Sequence, residues 1–166
     1  MELKYEKKPA LTFIGYSAEI KPNEGYIKCP EFWENEYTKK YARLWQTGKP
    51  ETPTEKAIFT NQIGMFALCL MNPDESFEYA IAGIYQGGEV PEGMKLYSLP
   101  ESEYAVFMER GPMSFKTLNE AVWGGWYPTE GQKFELNGTT CVEVYSAGNP
   151  MSDDYEYGMW IPVRRK

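Results

Sequence analysis

A chain of 166 residues with no histidine, three cysteines and a formal charge of −7 excludes several chemistries before any element is placed. Ser-His-Asp and Cys-His nucleophile schemes need an imidazole, and so do His-containing metal sites. An acidic chain whose basic clusters are Lys7-Lys8 and the terminal Arg164-Arg165-Lys166 lacks the phosphate-neutralising surface of a direct nucleic-acid binder.

Taken in chain order, the N-terminus "MELKYEKKPA" has no apolar signal core. Leu11–Ile20 is apolar and β-prone, and it ends at the turn cluster Pro22-Asn23-Glu24-Gly25. Pro30 and Glu31 suit the opening of a helix. Trp33, Tyr37, Tyr41, Leu44 and Trp45 then recur on one helical face, and Thr47-Gly48-Lys49-Pro50 stops it. Ile63–Met71 and Phe77–Tyr85 are strands joined across Asn72–Ser76 as a hairpin. The run Ile63–Met71 is the longest apolar stretch and is too short to span a bilayer, so no membrane partner is expected. Gly87-Gly88 and Pro91-Glu92-Gly93 separate this half from the next. Glu103–Glu109 is a strand, broken by Gly111-Pro112. Ser114 caps a short helix carrying Phe115, Leu118 and Val122, which Gly124-Gly125 end. Thr139–Ser146 and Tyr155–Val163 form a second hairpin.

The order repeats, and so does the wording. "FEYAIAGI" (Phe77–Ile84) and "YEYGMWIPV" (Tyr155–Val163) each follow Asn-Pro and a short acidic turn. The chain therefore reads as an internal duplication in one domain, residues 1–166, with half one at about 9–86 and half two at about 94–166. Each half is β-α-β-β. The predicted class is α+β, with antiparallel sheets, helices on one side and a central groove between the halves.

The halves differ in their penultimate strands, "MFALCLM" and "TCVEVYS". Laid on each other, Phe66 becomes Glu143 and Leu68 becomes Tyr145. Strand parity puts Glu143 and Tyr145 on one face, with Val142 and Val144 on the other. Two placements are open for Glu143. In apolar surroundings it is an anion awaiting a cation; on a half-exposed strand it points to water. Glu78 and Glu156 occupy equivalent places, which predicts a shared structural role. Glu156 shares a strand face with Trp160 and stays a minor candidate. Cys29, Cys69 and Cys141 lie far apart with no CxxC spacing, which predicts reduced thiols in a cytoplasm and small buried hydrophobes.

"EYAVFMERGP", a short helix, "WYP" (Trp126–Pro128), "VEVY" and "WIPV", in that order, resemble the GyrI-like effector-binding domain, the ligand-binding half of AraC-type and MerR-type multidrug regulators. The resemblance runs from about Leu11 to Val163. It implies two β-α-β-β units around a pseudo-twofold axis with a ligand groove between them. It also implies that Glu143 is the acid at the pocket floor and that Trp160 lines the pocket, and it lays the family's W-x-P on Trp126 and Pro128. The family often has a second Glu two residues before the final aromatic. Here Gly158 stands in its place, which predicts extra space beside Trp160. No helix-turn-helix region flanks the domain, so the expectation is a stand-alone module.

Three functions follow as expectations. The first is binding of amphipathic, often cationic, small molecules by Glu143, Tyr145, Trp160, Trp126 and Glu156, with Trp126 alternatively plain core. The second is a hydrolase of cyclopropane-bearing toxins, as some stand-alone members of the family are, with Glu143 as general base. The third is a protein-binding role like that of the family's gyrase inhibitors. Phosphate loops and paired-cysteine zinc sites are absent from the sequence, and neither cofactor nor metal is expected.

Overall fold

Residues Glu2–Lys8 and Leu11–Ile20 form strands β1 and β2, parted by Pro9-Ala10. The structure is a computed structural model that describes all residues from Met1 to Lys166. After β2 come helices α1 (Gly25–Trp33), α2 (Ala42–Thr47) and α3 (Pro53–Thr60), then strands β3 (Phe66–Met71), β4 (Phe77–Ile84), β5 (Lys95–Leu99) and β6 (Ser102–Arg110). Helix α4 (Phe115–Ala121) and strands β7 (Phe134–Leu136), β8 (Thr140–Tyr145) and β9 (Glu156–Arg165) complete the fold. All the strands join one antiparallel sheet in the order β1-β6-β9-β8-β3-β4-β2-β5, with β7 also paired to β9. The class is α+β. No helix is long and apolar enough to cross a membrane.

The order reads the same from either end. β3 and β8 meet at the centre, and each half runs outward through β4 and β2, or β9 and β6. The leading strands are exchanged: β1 pairs with β6 of the second half, and β5 pairs with β2 of the first. This exchange rolls the sheet. β1 lies at one edge and β2 next to the other, yet two residues separate them, as Pro100-Glu101 separate β5 from β6. Such a link reaches at most about 11 Å, so the two edges must approach each other. The inner face is then buried by the sheet itself. Phe13, Leu68, Ala80, Tyr104, Val106 and Val142 pack there with no helical residue among them. The helices cover the opposite face, where Leu44, Ile58 and Leu118 enter the cores.

The helices depart from expectation in two ways. α1 begins at Gly25, so Pro30 sits inside it; the helix has no side-chain cap and no fully buried residue. A proline within a helix cannot supply the bond to the carbonyl one turn back. The chain then continues through a π-helical turn at Glu34–Lys39, and α4 does the same at Val122–Trp126, so Gly124-Gly125 lie in a turn of helix rather than past its end. Helix α3 lies where apolar spacing predicts nothing. Its signal is the capping box of Thr52 and Glu55 with Pro53 in the first turn.

Candidate ligand-binding site

The site is built where β3 and β8 meet. Ala67 stands opposite Glu143, and Cys69 opposite Cys141. These residues and Tyr145 share the helix-covered face, because side chains alternate along a strand. Glu143 is half-buried, and its oxygens are held by neutral donors. Tyr79 Oη donates to Oε1 at 2.7 Å, Tyr145 Oη donates to the same oxygen at 2.5 Å, and Cys69 Sγ donates to Oε2 at 3.6 Å. Trp33 Nε1 donates in turn to Tyr79 Oη at 2.8 Å.

No lysine or arginine enters this balance. Burial pushes the Glu143 carboxyl above its ordinary range, and the donated hydrogen bonds of Tyr145, Tyr79 and Cys69 offset this only in part. The same proximity acts in reverse on the donors. Burial and the Glu143 charge drive both tyrosine hydroxyls far above the usual phenol value, so they stay neutral donors. Hydrogen bonds to a carboxylate are strong, but neutral donors do not cancel its charge.

Rings close the site from both halves. Trp33 of α1 meets Tyr145 edge-on at 5.1 Å between centroids, and Phe115 of α4 reaches the other side of Tyr145 at 5.1 Å. Phe32 and Cys29 pack on the same cluster from α1. Tyr37, one helical turn past Trp33, meets it edge-on at 5.2 Å and donates to the Ile63 carbonyl at 2.9 Å. α1 and α4 touch through Tyr26 Oη, which accepts from Asn119 Nδ2 at 2.9 Å. Cavities of about 370 Å³ and 330 Å³ lie elsewhere, along the Ser146–Glu156 loop and beside Lys7 and Glu101–Glu103.

Of the residues singled out in the sequence, the fold brings Glu143 and Tyr145 together and sends the other three elsewhere. Trp160 pairs in register with Val142 and so faces the inner side of the roll. It packs there on Phe66, with Lys8 Nζ 4.0 Å from its ring centroid. Trp126 is core: its ring lies edge-on to Phe107 at 5.1 Å and its Nε1 donates to Tyr5 Oη at 3.1 Å. Glu156 is exposed at the start of β9 and pairs with Arg110. Gly158 opens no space, because a Cβ there meets the Phe107 carbonyl and the Met108 sulfur.

The offset between halves also changes. Tyr79 lies opposite Cys69, and Tyr157 opposite Tyr145; Ile81 lies opposite Ala67, and Met159 opposite Glu143. Glu143 thus replaces Ala67, not Phe66, and Tyr145 replaces Cys69. Sequence reasoning missed Trp33, Tyr79 and Phe115 as walls of the site, and it missed the meeting of all three cysteines there. One signal was available. Trp33 and Tyr37 recur as Trp123 and Tyr127 with the same spacing, and the second pair also meets edge-on, at 5.4 Å.

Solved structures share this fold. The protein SAV2435, bound to tetraphenylphosphonium, superposes with a TM-score of 0.72 at 20% identity, over 99% of this chain and 94% of that one. A putative transcription regulation protein of Staphylococcus aureus Mu50 gives a TM-score of 0.66 at 20% identity, over 99% of both chains. An integron cassette protein of Vibrio cholerae gives 0.62 at 13% identity, over 98% of this chain and 95% of that one. No curated protein sequence matches the chain. The arrangement is the effector-binding fold that the order of motifs implied. The model of the Cass2 family, the integron-associated effector binding proteins, matches residues 4–163, and the chain belongs to that family.

Proposed function

We propose that the protein binds lipophilic aromatic small molecules, cations foremost, between α1 and α4 above Glu143, and does so in the cytoplasm. One observation carries this: Glu143 receives three neutral donors and no cationic partner. A half-buried anion so placed gains by meeting a cation, and the attraction grows as water is excluded. The rings of Trp33, Tyr145 and Phe115 supply the remainder, roughly 0.5–2 kcal/mol for each ring face presented to a cation. Few directional groups line the cleft, which favours breadth over selectivity. The tetraphenylphosphonium held by SAV2435 supports the choice of ligand class.

Tetraphenylphosphonium is the probe. Titration followed by tryptophan fluorescence should give saturable quenching from Trp33, and Glu143→Gln should bind at least ~10-fold more weakly, the equivalent of about 1.4 kcal/mol. Equal affinity for the two proteins overturns the reading. The pH dependence has a defined sign. Burial raises the carboxyl's pKa in the free protein and a bound cation lowers it, so binding releases a proton. Affinity should rise with pH up to that raised value, level off above it, and be flat throughout in Glu143→Gln.

A second reading uses the same atoms. A carboxylate of raised pKa beside tyrosine hydroxyls is a general-base arrangement, which fits hydrolysis of small cyclopropane-bearing electrophiles. Incubation with such a compound and mass spectrometry decides it: turnover that is lost in Glu143→Gln makes the protein an enzyme, and none above buffer removes this reading.

A further inference from the structure

All three cysteines of the chain converge on Glu143 although they lie far apart in sequence. Cys69 and Cys141 are directly opposed on β3 and β8. The flanking bonds, Met71 N to Thr139 O at 3.0 Å and Tyr145 N to Met65 O at 2.9 Å, mark every second pair as hydrogen-bonded, and Cys69–Cys141 falls in that series. Such pairs have Cα atoms about 5.5 Å apart. Both side chains point to the helix-covered face, and both are half-buried. Cys69 also donates to Glu143.

We propose that Cys69 and Cys141 form a dithiol site that captures trivalent aryl-metalloid compounds, the arylarsenous acids, with the aryl group seated among Trp33, Tyr145 and Phe115. The inference rests on the reading that the cleft admits an aromatic ring. Three features select this class. Soft thiol sulfur prefers soft, polarisable centres. Two thiols on directly opposed residues of one sheet face suit a centre that exchanges two hydroxyls. A chelated metal ion fits less well, since no group of three His, Cys, Asp or Glu side chains is arranged to hold one.

The chemistry balances without an oxidant. Each sulfur forms a bond to arsenic as one arsenic–oxygen bond breaks, and each thiol proton leaves with the departing hydroxide as water. One arylarsenous acid, ArAs(OH)2, and two thiols give one cyclic dithioarsonite and two waters, and no atom changes oxidation state. Glu143 already accepts the Cys69 S–H and is placed to carry that proton to the first hydroxide. Cys29 lies above the pair on α1. It stands outside the register that sets Cys69 against Cys141, which leaves it the bystander.

The test is one equivalent of phenylarsine oxide, which hydrates to phenylarsenous acid. Intact mass after desalting and a free-thiol count are the readouts, with circular dichroism to establish that each variant is folded. The native protein should gain one phenylarsenic group and fall from three free thiols to one. Cys29→Ser should gain the same group and retain no free thiol. Cys69→Ser and Cys141→Ser should each lose at least ~10-fold of the retained adduct, because a monothiol adduct exchanges readily. 2,3-Dimercaptopropanol should strip the native adduct, and a monothiol should not. Retention of the adduct in either single variant, or a native protein that keeps all its thiols free, overturns the proposal. A parallel tetraphenylphosphonium titration separates the failures: cation binding without the adduct sinks the dithiol site alone, and loss of both sinks it together with the reading beneath it.

Discussion

Across the centre of the sheet the first half presents Ala67 and Cys69, and the second presents Glu143 and Tyr145 in the equivalent places. The backbone frame is shared, down to the exchanged leading strands and the π-helical turns, but the charge sits on one side only. The halves also use their matching aromatic pairs differently. Trp33 holds Tyr79 over Glu143 of the other half, while Trp123 packs on the core of its own. The lesson is that neither half holds a complete site. One supplies the anion, and the other orients a donor onto it.

Restoring symmetry should be the most damaging change. Ala67→Glu places a second carboxylate directly opposite Glu143 at a position with no exposure and no cation to pair with. We expect a loss of about 3 kcal/mol at pH 8, a fall in Tm of roughly 6–12 °C for a chain of this size. The sign with pH is fixed. Carboxyls whose pKa is raised by folding contribute their stability below the unfolded pKa and lose it as pH rises through the folded one. The deficit should therefore shrink at pH 4, and calorimetry at the two pH values measures it. A deficit equal at both would assign the damage to bulk, as would equal losses in Ala67→Gln.

The opposite symmetrisation is milder. Glu143→Gln removes the unpaired charge and keeps an oxygen for Tyr79 and Tyr145. Burial raises the Glu143 carboxyl, so the native protein is penalised at pH 8 and not at pH 4. The variant should melt about 3 °C higher at pH 8, on the order of 1 kcal/mol, with the curves converging at low pH. A variant less stable at pH 8 would mean that the three donors more than compensate the charge.

How much of this the sequence shows depends on the range of the information. The hairpins, the capped α4 and the parity that unites Glu143 with Tyr145 are local, and they are legible. β1 and β5 are not: each gains its structure from the other half, and the alternating Glu2, Lys4, Glu6 and Lys8 of β1 read as a solvated terminus. Trp160 illustrates the limit. Its face relative to Glu143 depends on the register between β8 and β9, and a slip of one residue reverses every side chain of a strand. The same slip explains the assignment of Phe66 in place of Ala67. The cysteine cluster needs three registers at once, because α1, β3 and β8 each contribute one thiol.

The aromatic pairs give a finer test of the difference between halves. Trp33→Phe keeps a ring beside Tyr145 and deletes the N–H that holds Tyr79. One hydrogen bond is worth about 1 kcal/mol, so tetraphenylphosphonium affinity should fall about 5-fold, as read by calorimetric titration. Trp123→Phe, its counterpart, should leave affinity unchanged. Equal losses in both would make the two aromatic pairs equivalent after all.

The acids at matching places in the two halves set the smallest effect and locate the charge that matters. Glu78 and Glu156 are equivalent, but Glu78 is tied to Lys95 at 2.6 Å, Ser17 at 2.7 Å and Tyr97 at 3.2 Å, and Glu156 pairs with Arg110 on the surface. Burial opposes ionisation of Glu78, and its partners outweigh burial to hold the carboxyl below its usual range. Its stabilisation is thus present at neutral pH and lost as pH falls through the folded value. An exposed pair such as Arg110–Glu156 contributes about 0–1 kcal/mol. Glu156→Gln should shift Tm by no more than about 3 °C and leave cation affinity as it was. If Glu156→Gln weakens tetraphenylphosphonium binding as much as Glu143→Gln does, the cation sits at the rim of the β8–β9 loop and not over the junction of the halves.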